Sequence, residues 1–365
     1  MIARLPVPGR TALTAASFGL ALAAASPAHA TLTLTLAGAG FTLTTAIGGF
    51  PYSSPNDYTL VSVGVTSTGT LLAPANSGPM YLFNDTDGQT VTNNIGTATM
   101  PSGTGFAMAS VFGQVYGSQG VGGGFYKFNN NGTIAAAIPV SGAVSLFGLW
   151  GNPANGHLLA SSFSGLIDID PSNGNYTVVN TIAGGAADGV TVTPDGAIAY
   201  VADYVNDAVK GYSLVTSGPY VYGQQVFNSG FLGHGSDCMG VLAGTCAYAG
   251  QIVVNNNDGT VWLINPSSGN ETVIASGGNR GDYASVDPSN GTLFLSQNDQ
   301  IARLAAPAGC GIGTNVLTTD APEPATLAVL ALPLLALGAA RRRLLGRAYS
   351  AATAIARTDD SRNPL

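Results

Sequence analysis

Residues 156–179, GHLLASSFSGLIDIDPSNGNYTVV, return almost unchanged at 250–274 as GQIVVNNNDGTVWLINPSSGNETVI. Each copy reads as a short apolar strand, a polar turn, a second strand of alternating apolar residues, an Asn/Ser-Gly turn and a third strand rich in Thr and Val. A single copy cannot bury its own apolar faces, so the copies must stack, and repetition decides the architecture. A glycine opens the second strand of each copy, at Gly69, Gly113, Gly156, Gly196, Gly250 and Gly291. These glycines stand about 40–44 residues apart, with one wider gap of about 54 where residues 215–234 read as an insertion. That period suits a four-stranded propeller blade, and the chain is expected to be all-β, a six-bladed β-propeller.

The third strands support the register. Tyr81-Leu82-Phe83-Asn84, Tyr126-Lys127-Phe128-Asn129, Ile167-Asp168-Ile169-Asp170 and Trp262-Leu263-Ile264-Asn265 keep bulky residues two apart, as a strand with one core face requires. The turns that follow, Asp87-Gly88, Asn131-Gly132, Asn173-Gly174 and Ser268-Gly269, place Gly where a tight hairpin wants positive φ. The last copy, 282–304, supplies only about three strands. The Thr/Leu alternation at the mature N-terminus, with Leu32, Leu34 and Leu36 on one face, is expected to fill the missing place and remove two exposed edges.

The two ends read as processing segments. Arg4 and Arg10 precede an apolar run at 12–25 that ends in Ala28-His29-Ala30, so residues 1–30 are expected to be a signal peptide whose helix is cut by signal peptidase. Export implies an oxidising compartment. The expected organisation is then a propeller at 31–312, a linker at 313–324, a hydrophobic helix ending in an arginine cluster at 325–343, and a polar tail at 344–365. Of the three cysteines, Cys238, Cys246 and Cys310, at most two can pair. The nearest pair, Cys238 and Cys246, is the candidate disulfide, and it requires a turn near Gly240 or Gly244. A net charge of −7 and only two lysines, Lys127 and Lys210, leave no basic patch for phosphates, which argues against nucleic acid as a partner.

Two resemblances follow from these motifs. Gly189-Val190-Thr191-Val192-Thr193-Pro194-Asp195-Gly196 and Ser285-Val286-Asp287-Pro288-Ser289-Asn290-Gly291, leading into Tyr200-Val201-Ala202-Asp203 and Leu293-Phe294-Leu295-Ser296, resemble the blades of NHL-type and gluconolactonase-like six-bladed propellers. That fold carries lactonases, lyases and pure binding proteins alike. At the other end, Pro322, Glu323 and Pro324 precede the apolar run and Arg341, Arg342 and Arg343, an order that resembles the PEP-CTERM sorting signal of Gram-negative bacteria. The two prolines keep the motif extended, and the arginines hold the inner end of the apolar run by the positive-inside rule. This resemblance implies recognition by an exosortase, transient anchoring in the inner membrane, release to the cell surface and association with exopolysaccharide. The tail at 344–365 is a departure, since such signals usually stop soon after the basic cluster.

Asp188, Asp237 and Asp282 open the last three repeats in GGAADGV, GHGSDCM and GNRGDYA. Innermost strands line a propeller's channel, so these carboxylates are expected to converge at one mouth. There they are candidate ligands for Ca2+ or Mg2+, a metal set that the gluconolactonase-like resemblance also implies. The plainer reading is that each Asp caps its own loop. His234, near Asp237, is the weak candidate for a general base. His157 reads as polar surface because the sister copy has Gln251, Asp85-Thr86-Asp87-Gly88 as a turn rather than a calcium loop, and Arg280-Gly281-Asp282 as a chance tripeptide. Tyr116, Phe125, Tyr126, Trp150, Tyr220 and Tyr222 divide between core and sugar-stacking surface. Scarce histidine and an incomplete acid ring favour a non-catalytic surface scaffold, and the alternative is a divalent-metal-dependent hydrolase or lyase of gluconolactonase type.

Overall fold

The computed structural model describes residues 31–36, 39–50, 62–75, 78–100, 107–118, 124–141, 146–162 and 165–314. The leader, the Pro322-Glu323-Pro324 motif, the arginine cluster and both expected helices lie outside the described residues. Among the described residues there is no α-helix, only a single 3-10 turn at Val91–Asn93, and no helix long and apolar enough to cross a membrane.

Six sheets form the blades of a propeller. Their innermost strands are Gly64–Val65, Met108–Val111, Leu146–Gly151, Ala187–Val192, Ser236–Gly244 and Gly281–Asp287, for blades one to six. The ring closes where the last of these meets the first, and the Val63 amide donates to Ser285 Oγ at 3.3 Å. All six blade-opening glycines adopt φ between +73° and +82°, a region costly for any residue with a β-carbon, so the repeat count rests on real turn geometry. Strand alternation fills the spaces between blades. Tyr200 and Val209 of blade four pack on Met239, Val241, Ile252 and Val254 of blade five, and each such fully buried side chain contributes about 1.5–3 kcal/mol.

The sixth blade is completed by the N-terminus, but by a different strand from the one expected. Thr42–Gly48 pairs antiparallel with Ile301–Ala305, setting Leu43 opposite Leu304, and it buries Ala46 and Ile47 completely. The Thr/Leu alternation at 31–36 instead contributes Thr33–Leu34, which extends the outer edge of blade five along Glu271–Ser276. Both stretches alternate Thr with apolar residues. What separates them is that Ile47 joins the cluster of Phe50, Phe83, Phe294 and Ile301 that welds blade six to blade one.

The far end of the central channel is plugged. Cys310–Ile312 pairs antiparallel with the free inner edge of blade five, Leu242 opposite Ile312 and Gly244 opposite Cys310. The next residue, Gly313, donates its amide to Val241 O at 2.7 Å. A β-carbon on Gly313 would come within 2.5 Å of the Trp150 ring of blade three and 3.3 Å of Val286 of blade six. Three inner strands therefore converge on Gly313, which packs against blades three, five and six.

The plug also corrects the disulfide. Cys246 is bonded to Cys310, with 5.5 Å between their Cα atoms, while Cys238 is free and buried. Cys238 and the approach to Cys246 lie along the single extended strand Ser236–Gly244, without the turn their pairing required. Eight residues of extended chain span roughly 26 Å, far beyond disulfide reach.

Candidate functional site: the acidic mouth of the channel

The three candidate aspartates, Asp188, Asp237 and Asp282, take equal positions at one end of the inner strands of successive blades, and their charges act on one another. Each is the second residue of its inner strand, Ala187–Val192, Ser236–Gly244 and Gly281–Asp287. In all three the pairing register slips at that position, and such a bulge re-aims side chains out of the regular ladder. Glycines let the strands approach closely here: a β-carbon on Gly148 would lie 2.6 Å from Asp188 O, and one on Gly189 would lie 2.2 Å from Asp237 O. The equivalent residue of blade three is Phe147, so the ring of acids is partial.

Asp237 and Asp282 are buried and Asp188 is half-buried. Burial pushes the Asp188 carboxyl up to about 6, helped by the charge of Asp282 and opposed by Arg280. Asp282 is likewise raised to about 6 by burial, against the pull of Arg280. Burial and the charges of Asp188 and Asp282 hold Asp237 well above the usual carboxylate range. The same surroundings raise the Cys238 thiol and the Tyr283 phenol, and a thiol kept protonated is unreactive.

Counter-charge is built in. Arg280 Nε lies 2.7 Å from Asp282 Oδ1 and donates to Asn257 Oδ1 at 2.8 Å, whereas Asp282 Oδ2 is buried without a hydrogen-bond partner. Among the described residues no group of three or more His, Cys, Asp or Glu is placed to hold a metal ion. The donor set as it stands therefore does not fit Ca2+ or Mg2+, for which several oxygens must meet at about 2.0–2.6 Å. Burial comes first among the influences on the Asp188 and Asp237 carboxyls, followed by the charges of the neighbouring acids.

The remaining candidates lie elsewhere. His234 Nδ1 is 2.8 Å from Asp258 Oδ2, and its ring stacks on Trp262 with centroids 4.2 Å apart, so its partners are on the blade surface and not at the mouth. His157 pairs with Asp168, which also accepts from the Tyr222 hydroxyl. Tyr116, Phe125 and Trp150 are core, Tyr126 and Tyr222 are half-buried, and only Tyr220 is exposed.

Asp85 and Asp87 form neither a calcium loop nor a plain turn. Together with Asp287 they surround Arg303, whose Nε donates to Asp87 at 2.8 Å and whose Nη1 donates to Asp287 at 2.9 Å, while Nη2 meets Asp85. The guanidinium also lies 4.4 Å from the Phe294 ring centre. This clasp ties blade one to blade six. Arg280 and Arg303 were missed as organising residues, and the available signal was scarcity: residues 31–312 contain only four cationic side chains, Lys127, Lys210, Arg280 and Arg303. Three of the four are held in ion pairs.

No protein-family profile matches the chain, and no curated protein matches it by sequence. Solved structures do. The WD40 β-propeller domain of Doa1 is 15% identical, covering 67% of this chain and 78% of that one, with a TM-score of 0.51. A protein described as a putative gluconolactonase is 16% identical, covering 74% of this chain and 98% of that one, with a TM-score of 0.53. At such identities the likeness is one of fold, and this fold hosts unrelated chemistries. The chain is a six-bladed all-β propeller with gluconolactonase-like and WD40 structural neighbours.

Proposed function

We propose that this chain is an exported, exosortase-sorted cell-surface propeller that acts as a non-catalytic binding scaffold in a polysaccharide-containing matrix. The observation that carries this reading is the make-up of the mouth. There Arg280 pairs with Asp282, so part of the acidic charge is already compensated from within the blade, which favours a scaffold over a metal-dependent hydrolase. Export is supported by the leader pattern and by the Cys246–Cys310 bond, which belongs to an oxidising compartment. Sorting is supported by Pro322-Glu323-Pro324 and Arg341-Arg342-Arg343 alone.

The test is expression of the full chain in Gram-negative hosts with and without an exosortase, followed by fractionation and intact mass. Loss of both ends and surface recovery are expected in the first host, with membrane retention in the second. Cytosolic protein with both ends uncut would reject the reading.

A competing reading, a divalent-metal-dependent gluconolactonase-like enzyme, is favoured by the raised, mutually repelling carboxylates and the unpartnered Asp282 oxygen. Calorimetric Ca2+ binding, together with lactone turnover abolished by Asp237→Ala, would establish it in place of the scaffold.

A further inference from the structure

Blade four carries a second concavity on the same face as the mouth. Its second strand ends there at Asp203, opposite Ala187, and its outermost strand ends there at Asn228, opposite Lys210. Between the turn after Asp203 and the crossover into blade five lies a groove of about 590 Å³, lined by Val205, Asn206, Lys210, Asn228, Gly230 and Phe231. That volume lies within the range of small-molecule sites.

The walls are fixed before any ligand arrives. Asp207 takes the amides of Gly235 and Ser236 on its carboxylate, at 3.1 and 2.8 Å, and its carbonyl accepts from the Leu232 amide at 2.9 Å. Asn206 donates to Asp203 Oδ2 at 2.7 Å, and the Asn228 side-chain oxygen accepts from the Gly230 amide at 3.0 Å. On this rigid frame Phe231 is 80% exposed and Val205 63%, although the chain buries apolar side chains of this size elsewhere. Ordered apolar side chains held in water beside polar groups mark a binding surface.

The chemistry selects among occupants. Lys210 on the floor is neutralised by Asp203, so the groove carries no charge to attract an ionic ligand. Two exposed apolar side chains, Val205 and Phe231, beside a polar floor are too few to make the apolar core of a stable protein interface, which buries about 800 Å² per partner. A net charge of −7 opposes both anionic bilayers and nucleic acid. A neutral sugar suits what remains, because its C–H face packs on an open phenyl ring and its hydroxyls bond with carboxamides.

We propose that this groove is a subsite for a neutral oligosaccharide, which stacks on Phe231 and hydrogen-bonds to the side chains of Asn206, Asn228 and Lys210. The proposal rests on the scaffold reading above and names its contact point. The test is an array of neutral and uronate-containing oligosaccharides probed with the full chain, with Phe231→Ala and Asn228→Ala, and with Tyr220→Ala as a control away from the groove. The expected result is binding to neutral chains that falls about tenfold in the two groove variants and not in the control, at unchanged Tm. Binding that survives both groove variants would overturn the subsite but not the scaffold. Binding confined to uronates would overturn the neutral class, and no binding to any glycan would overturn the glycan reading itself.

Discussion

The backbone of Gly313 lies against the indole of Trp150, closely enough that a β-carbon would come within 2.5 Å of ring atom Cζ2. Gly313 follows the last strand, and Trp150 stands on the inner strand of blade three, so this contact ties the C-terminal strand to a third blade. The backbone at Gly313 has φ +67°, which a side chain rarely adopts. Gly313→Ala is therefore expected to lower stability by about 1–3 kcal/mol through overpacking and backbone strain. Denaturant unfolding followed by tryptophan fluorescence measures it, and wild-type stability would show that the plug yields without cost.

The Cys246–Cys310 bond closes a loop of 64 residues between blade five and the plug. Cys310→Ala is expected to cost about 2–4 kcal/mol. Cys238→Ala is expected to leave the disulfide intact, and in the native wild type only denaturation should expose Cys238 to alkylation. Peptide mapping under non-reducing conditions checks the pairing. A Cys238–Cys246 peptide would contradict it.

Four carboxylates, the buried Asp237 and Asp282 and the half-buried Asp85 and Asp188, titrate above their ordinary range, chiefly because burial penalises the charged form. A raised folded-state pKa means the folded protein binds the extra proton more tightly than the unfolded chain does. For Asp85, Asp188 and Asp282 that stabilisation is complete below about pH 4 and is lost as pH rises through about 6. For Asp282, raised to about 6, the formal loss approaches about 3 kcal/mol. Asp203 and Asp207 act oppositely: hydrogen bonds hold them low, so their contribution is present above about pH 4 and fades in stronger acid. Stability should therefore peak in mild acid and decline toward pH 7, and Asp282→Asn should flatten the decline. Tm measured from pH 3 to 8 decides, and a maximum above pH 7 would contradict the cluster.

Arg303 holds three carboxylates from two blades, and removing it leaves their charges facing one another in a buried site. Arg303→Met is expected to cost about 3–5 kcal/mol. Arg303→Lys should recover little of that, since an ammonium cannot reach three acids at once as the planar fork does. A double-mutant cycle with Asp87→Asn should give strong coupling, and additivity would show that the clasp does not act as a unit.

Much of this molecule is written locally. The period of the blade-opening glycines, the alternation within Ile167-Asp168-Ile169 and the turn at Asn173-Gly174 each follow from a few adjacent residues, and repetition of these signals set the number of blades. That Asp188, Asp237 and Asp282 take equal positions on successive inner strands was legible for the same reason: equal positions in a repeat recur around an axis. Tertiary structure alone decided which Thr-rich strand closes the ring, that Cys246 takes Cys310, and that Arg303 meets acids 216 and 218 residues away. It also placed Arg280 among the carboxylates and left Phe231 open to water. Such pairings leave no mark on adjacent residues, because their free energy comes from the burial and charge compensation that exist only once six sheets have packed into a ring.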